Sequence, residues 1–221
     1  MSTKRKGKES SERKKRRSIE HDAPEGWVGW DRIEALQRRA EYLDDDTQQR
    51  SLYFTTIFIT GGRIGEVVTL RPNQIRSDDK IIKIENMEVF KRRRRFTRTV
   101  FIKRKDNPLA DIFIKFVEAC ETDYLLPGYG SPFSTEIDPT AHISTTHVYK
   151  RIVSIDPNIW PHWIRDQRSW HLSAPEEKGG RGFDAYLLKV WFEWASMEMP
   201  AYYAGRRKEK DILEALGVED I

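Results

Sequence analysis

Apolar residues recur along the chain with two different periods, and each period predicts a kind of element. Ile33, Leu36, Ala40 and Leu43 fall at helical spacing behind Asp31, which predicts an amphipathic helix capped by that aspartate. An acidic turn, Asp44-Asp45-Asp46, precedes residues 52–59, an apolar run dense enough to predict a helix buried on most sides. Thr60-Gly61-Gly62 interrupts that run, and residues 63–70 resume a helical pattern that Pro72 closes. The period then shortens. Residues 80–84 and 99–102 are rich in β-branched side chains and predict strands, with a further short strand offered between them at 87–90. The run Lys91, Arg92, Arg93, Arg94 and Arg95 is thereby placed at a hairpin tip.

Helical spacing returns over residues 109–120, a Gly- and Pro-rich loop is predicted over 127–139, and a helix over 145–153 has Ser144 or Thr145 as its cap. After Pro161, His162, Arg165 and Arg168 recur as if along one helix face. A polar break at 173–182 separates them from a second helical run, 183–194, and from the tyrosine pair Tyr202 and Tyr203. A phenol beside arginines suggests attack on phosphorus. The order of elements predicts a mixed α+β fold, mainly helical with a small antiparallel sheet. The organisation expected is a basic disordered arm at 1–25, one domain at 26–205, and a short amphipathic tail helix at 206–221 carrying Ile212, Leu213 and Leu216.

Composition sharpens this picture. Hydrophobic residues make up 38% of 221, a low share, yet 10 Phe, 8 Tyr and 7 Trp can still supply a core. The first 17 residues hold nine Lys or Arg against Glu9 and Glu12, so the arm carries +7 while the whole chain carries +4. The basic character is therefore a property of the arm. Its cluster Lys14, Lys15, Arg16 and Arg17 suits contact with DNA phosphates, a nuclear address, or plain solvation of the terminus. Five adjacent cations at 91–95 repel one another unless a polyanion is present. Trp27 and Trp30 are expected to pin the start of the domain onto its body.

Several chemistries are excluded. The one cysteine, Cys120, cannot form an internal disulfide and reads as a buried small hydrophobe. No apolar run approaches the ~18 residues of a membrane span, and no signal peptide is legible, so a soluble intracellular protein is expected. The five histidines lack cysteine or acidic partners at ligand spacing, and no phosphate-binding glycine loop or serine elbow is present.

The residues that remain resemble a family. Thr60-Gly61-Gly62-Arg63-Ile64-Gly65-Glu66, followed by apolar residues and Leu70, is similar to the first signature box of the tyrosine recombinases (phage integrases). His162-Trp163-Ile164-Arg165, with His171-Leu172 closing the helix, resembles the second, and Trp194 lies nine residues before Tyr203 as in the last. The resemblance covers the family's catalytic domain and implies roles. Arg63 and Arg165 would clamp the non-bridging oxygens of a scissile phosphate, and Tyr203 would attack phosphorus to give a 3′-phosphotyrosyl link. Lys91 would protonate the leaving 5′ oxygen, with Lys103 or Lys105 as alternatives. His162 and Trp194 would donate hydrogen bonds or assist proton transfer, and Glu66 would hold the arginine segment. No metal, nucleotide or other cofactor is implied.

The partner implied is double-stranded DNA, with self-association on it, in the cytoplasm or nucleoid, in a virus-encoded setting, or in a eukaryotic nucleus. Two departures from the family pattern stand out: Asp166 occupies a position where histidine is common, and only some thirty residues precede the domain. A type IB topoisomerase-like activity, or a DNA-binding factor derived from an integrase and lacking turnover, are the alternative readings.

Overall fold

The computed structural model describes residues 26–44, 49–91, 94–105, 107–130 and 136–204, with backbone alone at Lys91, Arg94 and Arg95. The arm, including Lys14, Lys15, Arg16 and Arg17, the tail at 206–221, and Arg92 and Arg93 lie outside the described residues.

α1 (Trp30–Leu43) buries Ile33, Leu36, Gln37 and Ala40, one stripe at helical spacing. Its N-cap is Gly29 at φ 84°, and Asp31 sits in the first turn, so the expected aspartate cap is corrected: a tight turn that Gly alone adopts freely starts the helix. α2 (Gln49–Thr60) is buried around most of its circumference and packs against α1 and four later helices. Being interior, it must settle its polar groups internally. Thr56 and Thr60 each donate a hydroxyl to the carbonyl one turn back, and Thr55 donates to Gln37. Asp44 of the acidic turn accepts from the Arg50 and Ser51 amides at 2.8 and 2.9 Å, closing the open end of α2.

The helical pattern at 63–70 condenses to one turn, α3 (Ile64–Val67), before the strands. β1 (Ile75–Ser77), β2 (Ile81–Lys91) and β3 (Arg94–Lys103) form an antiparallel sheet in that order, and β1 has no expectation behind it. The two apolar runs at 80–84 and 87–90 are a single strand. The register shifts between Ile84 and Met87, with Asn86 at φ 54°, so both Ile82/Ile84 and Met87/Val89 face the core despite their opposite parity. The strands also run further than expected. Lys91 pairs with Arg94, so these two and Arg95 belong to the ladder rather than to the tip.

α4 (Ala110–Glu118) packs on α2 as its spacing implies, with Cys120 half-buried just beyond it. The segment expected as an irregular loop instead holds a second hairpin, β4 (Pro127–Tyr129) with β5 (Ile137–His142). α5 (Thr145–Ile155) starts at Ser144, whose hydroxyl accepts from the His147 amide. α6 (Pro161–Ser173) and α7 (Ala185–Phe192) follow, then a last helical stretch, α8, at 198–204.

The polar break after α6 is held from the other end of the chain. Trp27 and Trp30 donate their indole N–H groups to the carbonyls of Lys178 and Gly179 at 3.0 and 3.1 Å. With Phe58 they box in the imidazole of His171, which lies 4.9 and 4.7 Å from the two indole rings. Burial, and then the positive charges of Arg168 and Arg181, push His171 down to about 2 from 6.5. It is neutral in the fold and protonated in the unfolded chain at acid pH, so the unfolded state binds the extra proton. Stability should therefore fall as pH drops below about 6.5, by up to about 1.4 kcal/mol per unit from this group. Urea unfolding of the protein and of His171→Asn across this range checks it: the variant should lose that part of the slope, and parallel curves would count against it.

Candidate active site

The site begins where α2 stops. Gly61, at φ 56°, turns the chain so tightly that an added Cβ would lie 2.7 Å from Phe192 and 2.8 Å from Trp191. At Gly62 a Cβ would meet Met87 at 2.5 Å. Two glycines are required because the turn is pressed against both the sheet and α7. The turn exposes carbonyls inward, and arginines take them: Arg165 Nη1 donates to Gly61 O, and Arg98 Nη2 to Thr60 O at 2.7 Å.

Glu66 joins the first two boxes. Its Oε2 accepts from the Arg63 backbone amide at 2.9 Å, and its Oε1 from Arg63 Nη1 at 2.8 Å. The same buried carboxylate lies 3.9 Å from Arg165 Nη1. One anion thus sits between two guanidiniums and holds both. Arg165 is also stacked over Phe192, with Cζ 4.8 Å from the ring centroid. Burial, and then the neighbouring charge of Arg63, lower Arg165 to about 10, which keeps it cationic at neutral pH.

On α6, His162 and Asp166 are one turn apart and share a face; His162 Nδ1 is 3.7 Å from Asp166 Oδ1. The Tyr203 hydroxyl donates to that same oxygen at 2.7 Å. The phenol ring is fixed from two sides, parallel to Trp194 at 5.5 Å and 8°, and edge-on to Trp170 at 4.8 Å. Tyr203 is 5% exposed and Tyr202 45% exposed, so the pair separates into an inward and an outward phenol. Burial, then the charge and hydrogen bond of Asp166, raise the Tyr203 phenol above its ordinary 10, against the opposing pull of Arg165.

The structure therefore brings together Arg63, Glu66, Arg165, His162, Trp194 and Tyr203. Arg168 does not join them. It is buried beneath the site, over Phe58 and Trp191, with Nη1 donating to His171 Nδ1 at 3.0 Å. His162, Arg165 and Arg168 share no single face, because six residues of helix turn through about 600°, which leaves His162 and Arg168 about 120° apart. Lys91 ends β2, and its side chain is outside the described residues. Lys103, the first alternative to it, lines a cavity with Ile81, Arg168, His171 and Arg181, and Lys105 lines another with Asp79 and Asp111. Two residues went unread as site components. Asp166 stands out in sequence as a departure from the family pattern, but helical spacing alone gives it no role in the site. Arg98 follows a run of cations in sequence, although it shares strand parity with buried Val100 and Ile102. Among the described residues, no group of three or more His, Cys, Asp and Glu is placed to hold a metal ion, and no helix is long and apolar enough to cross a membrane.

No family model matches the chain, and no curated protein does. Solved structures do. XerH site-specific recombinase bound to its difH substrate, in a pre-cleavage complex, is similar with a TM-score of 0.56 at 15% identity, over 85% of this chain and 52% of that one. XerA recombinase gives 0.57 at 15%, over 86% and 62%. A lambda integrase dimer on a core site gives 0.52 at 13%, over 82% and 48%. This chain spans about half the length of the XerH chain. At such identities the likeness is one of fold, and the fold is the one these site-specific recombinases share.

Proposed function

We propose that this chain is the catalytic part of a DNA strand transferase of the tyrosine recombinase kind. Arg63 and Arg165 bind the non-bridging oxygens of a scissile phosphate, and the Tyr203 oxygen attacks phosphorus. The P–O5′ bond breaks, leaving a 3′-phosphotyrosyl link and a 5′ hydroxyl whose proton comes from Lys91. His162 and Trp194 donate hydrogen bonds around the reacting phosphate. Lys14, Lys15, Arg16, Arg17 and Arg92 to Arg95 contact flanking phosphates, and protomers associate on the duplex with the tail packed in trans. The observation that carries this reading is the meeting of Glu66-held arginines with a clamped tyrosine from a distant part of the chain. The similar folds include recombinases solved on DNA, which fits a duplex substrate.

A nicked suicide duplex tests it, because loss of the short 5′ fragment traps the covalent state. The protein should form an adduct that survives denaturant without added metal or nucleotide. Supercoiled plasmid then separates the outcomes: exchange between sites supports recombination, relaxation alone a topoisomerase, and neither activity nor adduct a binding-only protein.

A further inference from the structure

We propose that Asp166 is the group that takes the phenolic proton of Tyr203 during attack, a catalytic role for a residue on the second helix turn of α6. The inference rests on the strand-transfer reading above. Its basis is the hydrogen bond itself: Tyr203 Oη donates to Asp166 Oδ1 at 2.7 Å, the separation of a direct charge-assisted contact. The arrangement is held on every side. Trp194 and Trp170 pack against the ring from two sides, Ser169 also lies within hydrogen-bonding reach of the phenol, and Asp166 projects from a helix whose neighbouring residue, Arg165, is buried in the floor.

The charged and titratable groups facing Asp166 are His162 on its own helix, Arg165 beside it, and Tyr203 from α8. A buried phenol next to a carboxylate is a poor phenolate, so attack on phosphorus requires the proton to leave as the bond to phosphorus forms. Asp166 Oδ1 stands where that proton points. In cleavage the Oη–P bond forms, the P–O5′ bond breaks, and the phenolic proton passes to Asp166. In rejoining, the 5′ oxygen attacks as its proton returns to Lys91, the P–O5′ bond re-forms, the Oη–P bond breaks, and Asp166 returns the proton to Tyr203. His162 Nδ1 lies 3.7 Å from the same oxygen, on the more exposed side of Asp166.

The test is the pH dependence of adduct formation on the nicked duplex, for the protein and for Asp166→Asn, which keeps an acceptor oxygen but cannot hold the proton. With its proton acceptor in place, the unmutated protein should show a nearly flat rate from about pH 6 to about pH 9. Asp166→Asn should be slower by about 100-fold or more at neutral pH and should climb tenfold per pH unit as hydroxide replaces the missing base. Asp166→His, again able to accept a proton, should recover most of the rate. Ultraviolet titration adds a readout free of turnover: the phenol assigned by Tyr203→Phe should ionise at lower pH in Asp166→Asn. Equal rates and equal pH profiles for the protein and Asp166→Asn would overturn the role of Asp166 alone. An unmutated protein that forms no adduct would overturn the strand-transfer reading as well.

Discussion

Tyr203→Phe should abolish the covalent adduct on a nicked duplex, while Tyr202→Phe should retain it to within about tenfold, the effect of a contact worth about 1.4 kcal/mol. The two tyrosines are adjacent, but adjacent helical residues diverge by about 100°, and the packing turns Tyr203 inward and Tyr202 outward. Tyr203 lies against Trp194 with its hydroxyl on Asp166, and its nearest cation is Arg165. Tyr202 is about half-exposed, with its ring 5.5 Å from Trp170 and 5.3 Å from Tyr203. The change at Tyr203 should leave the fold intact, because Asp166 is about one-third exposed and water can replace the lost donor. Circular dichroism of both variants accompanies the adduct assay. An adduct from Tyr203→Phe, with none from Tyr202→Phe, would reverse the assignment.

Arg98→Met should lower stability by about 3 kcal/mol, although this residue belongs to none of the signature boxes. Its guanidinium donates to Trp191 O at 2.9 Å and to Thr60 O at 2.7 Å, and so ties the ends of α7 and α2 to β3. Methionine fills much of the same space but leaves two buried carbonyls without donors, at about 1–3 kcal/mol each. For a chain of this size that is a drop in Tm of about 6–12 °C. Arg98→Lys should recover little, since one ammonium cannot span both carbonyls in the way a planar fork does. A melting temperature within about 2 °C of the unmutated protein would show that the staple contributes nothing.

Much of the site was legible because its chemistry is local in sequence. The glycine pair, Arg63 and Glu66 occupy one turn, and the nine-residue interval from Trp194 to Tyr203 becomes the observed ring stack. The helical elements were legible for the same reason: their apolar stripes have one period. What escaped depended on partners far away. The bulge at Glu85 and Asn86 merges two short runs into one long strand, and no property of either run announces it. β4 and β5 are short, rich in turn-forming residues, and ordered by pairing with each other. Arg98 and Arg168 look solvated by composition. Their neighbours in period, Val100 and Ile102 for one, Ile164 and Leu172 for the other, carried the signal that they point inward.

The buried arginines have a consequence for how folding and ligand binding are coupled. Arg98, Arg165 and Arg168 lie in or directly beneath the floor, each lowered to about 9 or 10 by burial, and the recorded carboxylate partner among them is Glu66 on Arg165. Carbonyls and aromatic faces offset their desolvation without neutralising it. The folded chain therefore carries an interior with surplus positive charge, assembled at a cost during folding and waiting for a counterion. On the proposed reading, an oxyanion seated between Arg63 and Arg165 would repay part of that cost. It acts in effect as a missing piece of the core, so occupancy of the site and resistance to unfolding rise together.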